Sequence, residues 1–124
     1  MVSPGPLGAH NWYPMSFSPQ TRLVYIPALE GSSYYQHDDA FELHERGWNT
    51  GITVTSDPAN AKTLADAARS KGGAMLIAWD PVAQREVWRV NHERPGNGGV
   101  LTTGGGLVWQ GSADGMFNAY AAET

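Results

Sequence analysis

The chain has 124 residues, with 8 basic against 12 acidic side chains, a net charge of −4, 15 glycines, 5 tryptophans and no cysteine. That acidic balance, with no lysine or arginine cluster, excludes the electrostatic footprint of a nucleic-acid or anionic-membrane binder. The lack of cysteine excludes a disulfide framework and a thiolate metal centre, and no apolar run approaches the roughly 20 residues of a membrane span.

Residues 1–9 are rich in proline and glycine and read as a leading loop, without the basic region and apolar run of a secretory leader. A first strand is predicted near 14–18 and a second at 23–27, joined by the Pro-initiated turn Ser18-Pro19-Gln20-Thr21-Arg22. Pro27 ends the second strand because it cannot donate to a ladder. Alternation then fails, and residues 29–73 are expected to form an irregular excursion. Within it, Tyr34, Tyr35, His37, Asp38, Asp39 and His44 include competent metal ligands by type. No tight His-x-His or His-x-x-x-His spacing organises them, so they read as a polar surface loop. A short helix is expected over 58–70, with Asp57 as N-cap, Pro58 as first helical residue and Gly72-Gly73 as the stop.

Strands resume at 75–79 and 86–90, around a turn opened by Asp80-Pro81, and continue at 100–103, 107–110 and 116–121. Asp114-Gly115 is a strong hairpin signal, because a two-residue turn that matches strand twist needs positive φ. Gly104-Gly105-Gly106 has no helix after it and so no phosphate-loop context. Gly-rich turns, aromatic strands and this regular cadence favour an all-β fold of consecutive antiparallel β-propeller blades.

Ala78, Asp80 and Trp88 fit the pattern Ala-x-Asp-x-x-Thr-Gly-x-x-x-Trp, with Ala83 and Gln84 in the Thr-Gly places. The run Ala119-Tyr120-Ala121-Ala122-Glu123-Thr124 begins a second copy, with Ala121 where the Asp belongs. Ser18-Pro19-Gln20-Thr21 echoes the same turn, and Arg22 stands where the glycine belongs. This pattern resembles the tryptophan-docking motif of the quinoprotein alcohol dehydrogenases, which use pyrroloquinoline quinone (PQQ). On that resemblance Trp88 packs between blades and holds them together without doing chemistry.

A second run strengthens the resemblance. His10-Asn11-Trp12-Tyr13-Pro14-Met15, followed by Leu23-Val24-Tyr25-Ile26-Pro27-Ala28, is similar to a segment of the quinohaemoprotein alcohol dehydrogenases whose Asn and Trp contact the cofactor. Asn11 and Trp12 inherit that role. The residue types suit it: PQQ is a flat tricyclic quinone bearing carboxylates, an amide can donate to its oxygens, and an indole offers an apolar plane with one N–H. His10 reads as a histidine hydrogen-bonded to backbone. Asn97 and Gly98 are a further candidate pair, because in the family the segment before Leu-Thr-Thr lies over the cofactor. Glycine there serves either close approach to a ligand or a plain turn between blades.

The resemblance implies that residues 1–124 are two to three blades from the C-terminal part of an eight-bladed propeller, a piece of a longer protein. It implies a periplasmic enzyme that oxidises primary alcohols by hydride transfer to PQQ, with calcium as Lewis acid and a c-type cytochrome as electron acceptor. The catalytic Asp, the Lys or Arg beside the quinone and the calcium ligands are expected upstream of His10, outside this chain. The chain itself would supply cofactor contacts and be inactive in isolation. The alternative is a non-catalytic propeller scaffold of the outer-membrane assembly type, against which the Asn11-Trp12 pair argues.

Overall fold

Seven strands joined mostly by tight reversals make up the computed structural model, which describes residues 4, 8–31, 35, 37–47, 49–52, 73–94 and 96–124. They are β1 (Ser16–Ser18), β2 (Leu23–Leu29), β3 (Ala74–Asp80), β4 (Arg85–His92), β5 (Asn97–Thr103), β6 (Leu107–Ser112) and β7 (Phe117–Ala121). Two antiparallel sheets result, in the orders β1-β2-β3-β4 and β5-β6-β7. Every predicted strand is present, although Pro27 does not end β2, which stays paired with β3 through Leu29. The largest boundary change is at β5, which starts at Asn97 and takes Asn97, Gly98 and Gly99 out of the predicted turn into a strand. Among the described residues there is no helix; the helix expected over 58–70 lies outside them. What is described of the excursion is irregular apart from one antiparallel bridge, His37 to Ile52.

Side chains alternate across each strand, and one face of each sheet turns to the other. Leu23, Tyr25, Leu76 and Ala78 of the first sheet cluster with Val100 and Val108 of the second and with Ala122 just after β7, with Trp88, Val90 and Tyr120 packed at the margin. Leu76 and Val108 are fully buried, which stabilises by roughly 1.5–3 kcal/mol each. Polar bonds fix how the sheets register on one another. The Tyr25 hydroxyl donates to the Ala122 carbonyl at 2.7 Å, and Trp88 Nε1 donates to the same oxygen at 3.3 Å. The two rings meet with centroids 5.7 Å apart. Trp88 is half-buried and binds the first sheet to the chain leaving β7, as its docking role requires.

A second clasp joins the edge strands β1 and β5. Thr102 N–H donates to Ser16 Oγ at 3.0 Å, and Thr102 Oγ1 donates to the Phe17 carbonyl at 3.2 Å. Ser16 Oγ therefore donates its own proton to Thr102 Oγ1, 2.7 Å away.

The hairpins share one device. A residue of positive φ precedes or nearly precedes the second strand: Arg22 at 60°, Gln84 at 52°, Gly106 at 73° and Gly115 at 87°. The Asp114-Gly115 turn differs from the predicted two-residue form. Only Gly115 has positive φ, its N–H donates to Ser112 O at 3.1 Å, and Ser112 N–H reaches across to Met116 O at 2.9 Å. Asp114 works instead through its carboxylate, which accepts from Ser112 Oγ and from Met116 N–H. Those bonds hold its pKa below the ordinary carboxylate range, the Ser112 hydroxyl being the largest cause. Asp80 does the same in the β3–β4 turn by accepting from the Ala83 and Val82 N–H groups.

Candidate cofactor site

One end of the paired sheets gathers the C-terminal ends of β2, β4 and β6 with the N-terminal ends of β3, β5 and β7, as the antiparallel registers dictate. The loop before β1 runs across this end and is strapped at three points. Leu29 N–H donates to Ala9 O at 2.7 Å, and Val100 N–H donates to Pro14 O at 2.9 Å. His10 Nδ1 lies 2.8 Å from the Pro27 carbonyl; a carbonyl only accepts, so Nδ1 is the protonated nitrogen. His10 is thus the backbone-bound histidine its sequence context suggests, and it anchors the loop.

Between these straps sit Asn11 and Trp12. Asn11 Oδ1 accepts from Trp12 N–H at 2.9 Å, a local turn bond of the kind Asn side chains favour. The Trp12 indole is 85 % exposed, although large aromatics are usually well covered in folded proteins. A loop fixed at both ends therefore presents a bare aromatic plane to solvent.

The other candidate segment meets this loop from the side. Asn97 opens β5 opposite Ser112, and the ladder slips by one residue before Val100, so Gly98 and Gly99 together face Gly111. A Cβ on Gly99 would lie 2.6 Å from Pro14 Cδ, and one on Gly98 would lie 3.0 Å from Gly111 O. Close approach does require these glycines, but it is approach to the chain's own Pro14 and Gly111. The structure thus brings the two segments together through Pro14, Gly99 and Val100. Gln110, whose side chain reaches Gly98, and His92, which reaches Gln110, carry no motif. The signal available in sequence was a glutamine at the inward position two residues after Val108.

The described residues hold no cluster of three or more metal-ligating side chains and no helix long and apolar enough to cross a membrane. What the loop does offer is an exposed indole beside an amide side chain. The indole plane is a stacking surface, the strapped loop costs little to order, and amide and indole N–H groups are donors by type.

Fold and site together define antiparallel sheets of the β-propeller type that present an aromatic loop at one end. No family model matches the chain. It is 45 % identical over 130 residues to the quinohemoprotein alcohol dehydrogenase of Comamonas testosteroni, covering 98 % of this chain and 17 % of that protein. It is also 45 % identical over 121 residues to the dehydrogenase subunit of the quinone alcohol dehydrogenase of Acetobacter aceti, covering 96 % of this chain and 16 % of that one. The solved structure of quinohemoprotein alcohol dehydrogenase ADHIIG from Pseudomonas putida superposes with a TM-score of 0.81 at 44 % identity, over 99 % of this chain and 18 % of that one. Over nearly its whole length, then, the chain is homologous to one segment of the quinohaemoprotein alcohol dehydrogenases. It spans about a sixth of the length of the curated relatives it matches.

Proposed function

We propose that this chain forms two to three blades, over 1–124, of a PQQ-dependent dehydrogenase that oxidises primary alcohols, with 29–73 as an excursion between strands. The observation that carries the reading is the strapped loop that holds Trp12 bare beside Asn11, at the position where the resemblance assigns cofactor contacts. When bound, PQQ supplies the two-electron acceptor for the alcohol's hydride equivalent. Trp12 gives the cofactor an apolar face and limits its sliding. Asn11 donates from its amide toward a quinone or carboxylate oxygen. Asn97 and Gly98 wall the same end of the blades, with Pro14 locking that wall to the loop. The general base and the calcium ligands are assigned to no residue of this chain. A c-type cytochrome as electron acceptor and a periplasmic location complete the reading.

The test is a graft: the Comamonas testosteroni enzyme with its aligned segment replaced by this chain, prepared as apoprotein and titrated with PQQ. Asn11→Ala should weaken PQQ binding by about 1 kcal/mol, and by up to about 3 where the bond meets a charged oxygen. Turnover should fall while thermal unfolding stays that of the parent. Parent-like affinity and turnover in both Asn11→Ala and Trp12→Ala would refute the assignment. A graft that folds but takes up no PQQ would favour the scaffold reading.

A further inference from the structure

Gln110 is fully buried, in an interior made otherwise almost wholly of apolar side chains. It shares its face of β6 with Val108, where an apolar residue would pack without any hydrogen-bonding demand. Both ends of its amide are engaged. Nε2 donates to the Gly98 carbonyl at 3.1 Å, and Oε1 lies 3.0 Å from His92 Nε2 on β4 of the other sheet. The Gly98 carbonyl can only accept, which fixes the amide's orientation and makes His92 Nε2 a donor.

The Gly98 carbonyl belongs to the bulge opposite Gly111, where a backbone group falls outside the regular ladder. Gln110 gives the Gly98 carbonyl a side-chain hydrogen bond there. A planar trans peptide then sets the direction of the Gly98–Gly99 link. From there the constraint reaches the aromatic loop, because Gly99 abuts Pro14 with no room for a Cβ and Val100 N–H is bonded to Pro14 O.

We propose that Gln110, aligned by His92 from the neighbouring sheet, is a positioning residue for the cofactor: it fixes the Gly98–Gly99 wall and, through Pro14, the loop bearing Asn11 and Trp12. The proposal rests on the cofactor reading above. Gln110 touches no reacting atom; it acts through Gly98.

The experiment uses the same grafted enzyme, with PQQ affinity, the absorption spectrum of bound PQQ and the thermal midpoint of the apoprotein measured for each variant. Gln110→Met keeps the volume and removes both bonds. It should weaken PQQ binding about tenfold, the worth of one well-placed buried hydrogen bond, and shift the bound-quinone absorption. Gln110→Glu, which has the same shape but when ionised cannot donate to Gly98 O, should do the same and serves if the methionine variant fails to fold. His92→Gln restores an N–H donor and should retain parent affinity. Val108→Ala should lower the apoprotein midpoint at least as far as Gln110→Met without changing PQQ affinity, which separates positioning from stability. Parent affinity and spectrum in Gln110→Met and Gln110→Glu, with PQQ lost in Trp12→Ala, would overturn the positioning role alone. So would an equal loss of affinity in Val108→Ala. A graft that takes up no PQQ, or parent affinity in the Trp12, Asn11 and Gln110 variants together, would overturn the positioning role and the cofactor reading at once.

Discussion

At Gln84 and Arg22 the backbone stands at φ 52° and 60°, where a Cβ crowds the following carbonyl at a cost of roughly 1–2 kcal/mol. Gly106 and Gly115 fill the corresponding places of the other hairpins without that penalty. The repeat pattern had already put Gln84 and Arg22 where the docking motif has glycine, and the positive φ is the physical reason for that glycine. Gln84→Gly should therefore raise stability by about 0.5–1 kcal/mol, the relief of strain less the added freedom of the unfolded chain. Gln84→Val should lower it, and thermal unfolding of the two variants reads the difference. Tyr25 allows a second prediction. Burial raises its pKa above the ordinary 10.0, the Thr21 hydroxyl bond opposes this, and Glu123 adds to it. A raised folded value means its contribution is whole below pH 10 and fades as pH rises through the folded value. The melting temperature should fall above pH 10, less steeply in Tyr25→Phe. Tyr120, raised by burial and by Asp114, keeps part of the slope.

Between elements, the sheets are held by a few specific bonds on an apolar contact. Two donors, Tyr25 OH and Trp88 Nε1, converge on the one carbonyl of Ala122. Trp88→Ala should cost about 3 kcal/mol, the lower end for a large aromatic because the ring is only half-buried. Chemical denaturation checks this, and an unchanged midpoint would remove Trp88 from the docking role. Strand positions were legible in the sequence because period-2 alternation and turn residues are local signals. The β3–β4 hairpin with Trp88 is the clearest case. Less legible was anything set by a neighbouring sheet. Asn97-Gly98-Gly99 has the composition of a turn, yet pairing with β6 draws it into β5, and its glycines answer to Pro14 and Gly111. The Asn11-Trp12 loop was visible only through family resemblance, while its straps to Pro27, Leu29 and Val100 span distant parts of the chain. Gln110 matters because of what it touches, and nothing in its local sequence names Gly98 or His92.

For the molecule as a whole, the second sheet is covered on one face, whereas the first also buries Ala28 and Met75 on its far side. On the far side of the second sheet Leu101, Leu107 and Phe117 are exposed, and Trp109 stacks on Phe117 with ring centroids 5.5 Å apart. Apolar side chains exposed together on one sheet face favour association. The chain alone should therefore self-associate as concentration rises in sedimentation, and the double variant Leu101→Lys, Phe117→Lys should reduce it. Cofactor binding by the chain alone follows a different arithmetic. One aromatic stack contributes about 0.5–1.5 kcal/mol beyond its buried area, and one hydrogen bond about 1 kcal/mol, or up to about 3 to a charged oxygen. Even a Kd of about 1 mM requires roughly 4.1 kcal/mol after the entropy of association has been met. Asn11 and Trp12 stand on a single exposed loop and reach at most one side of a flat ligand, so once an association cost of about 4 kcal/mol or more is subtracted they fall short of that figure. PQQ at micromolar concentration should leave the tryptophan fluorescence of the isolated chain without saturable quenching. Saturable quenching that disappears in Trp12→Ala would mean that these residues already form a complete site, and that the remaining blades are not needed to hold the cofactor.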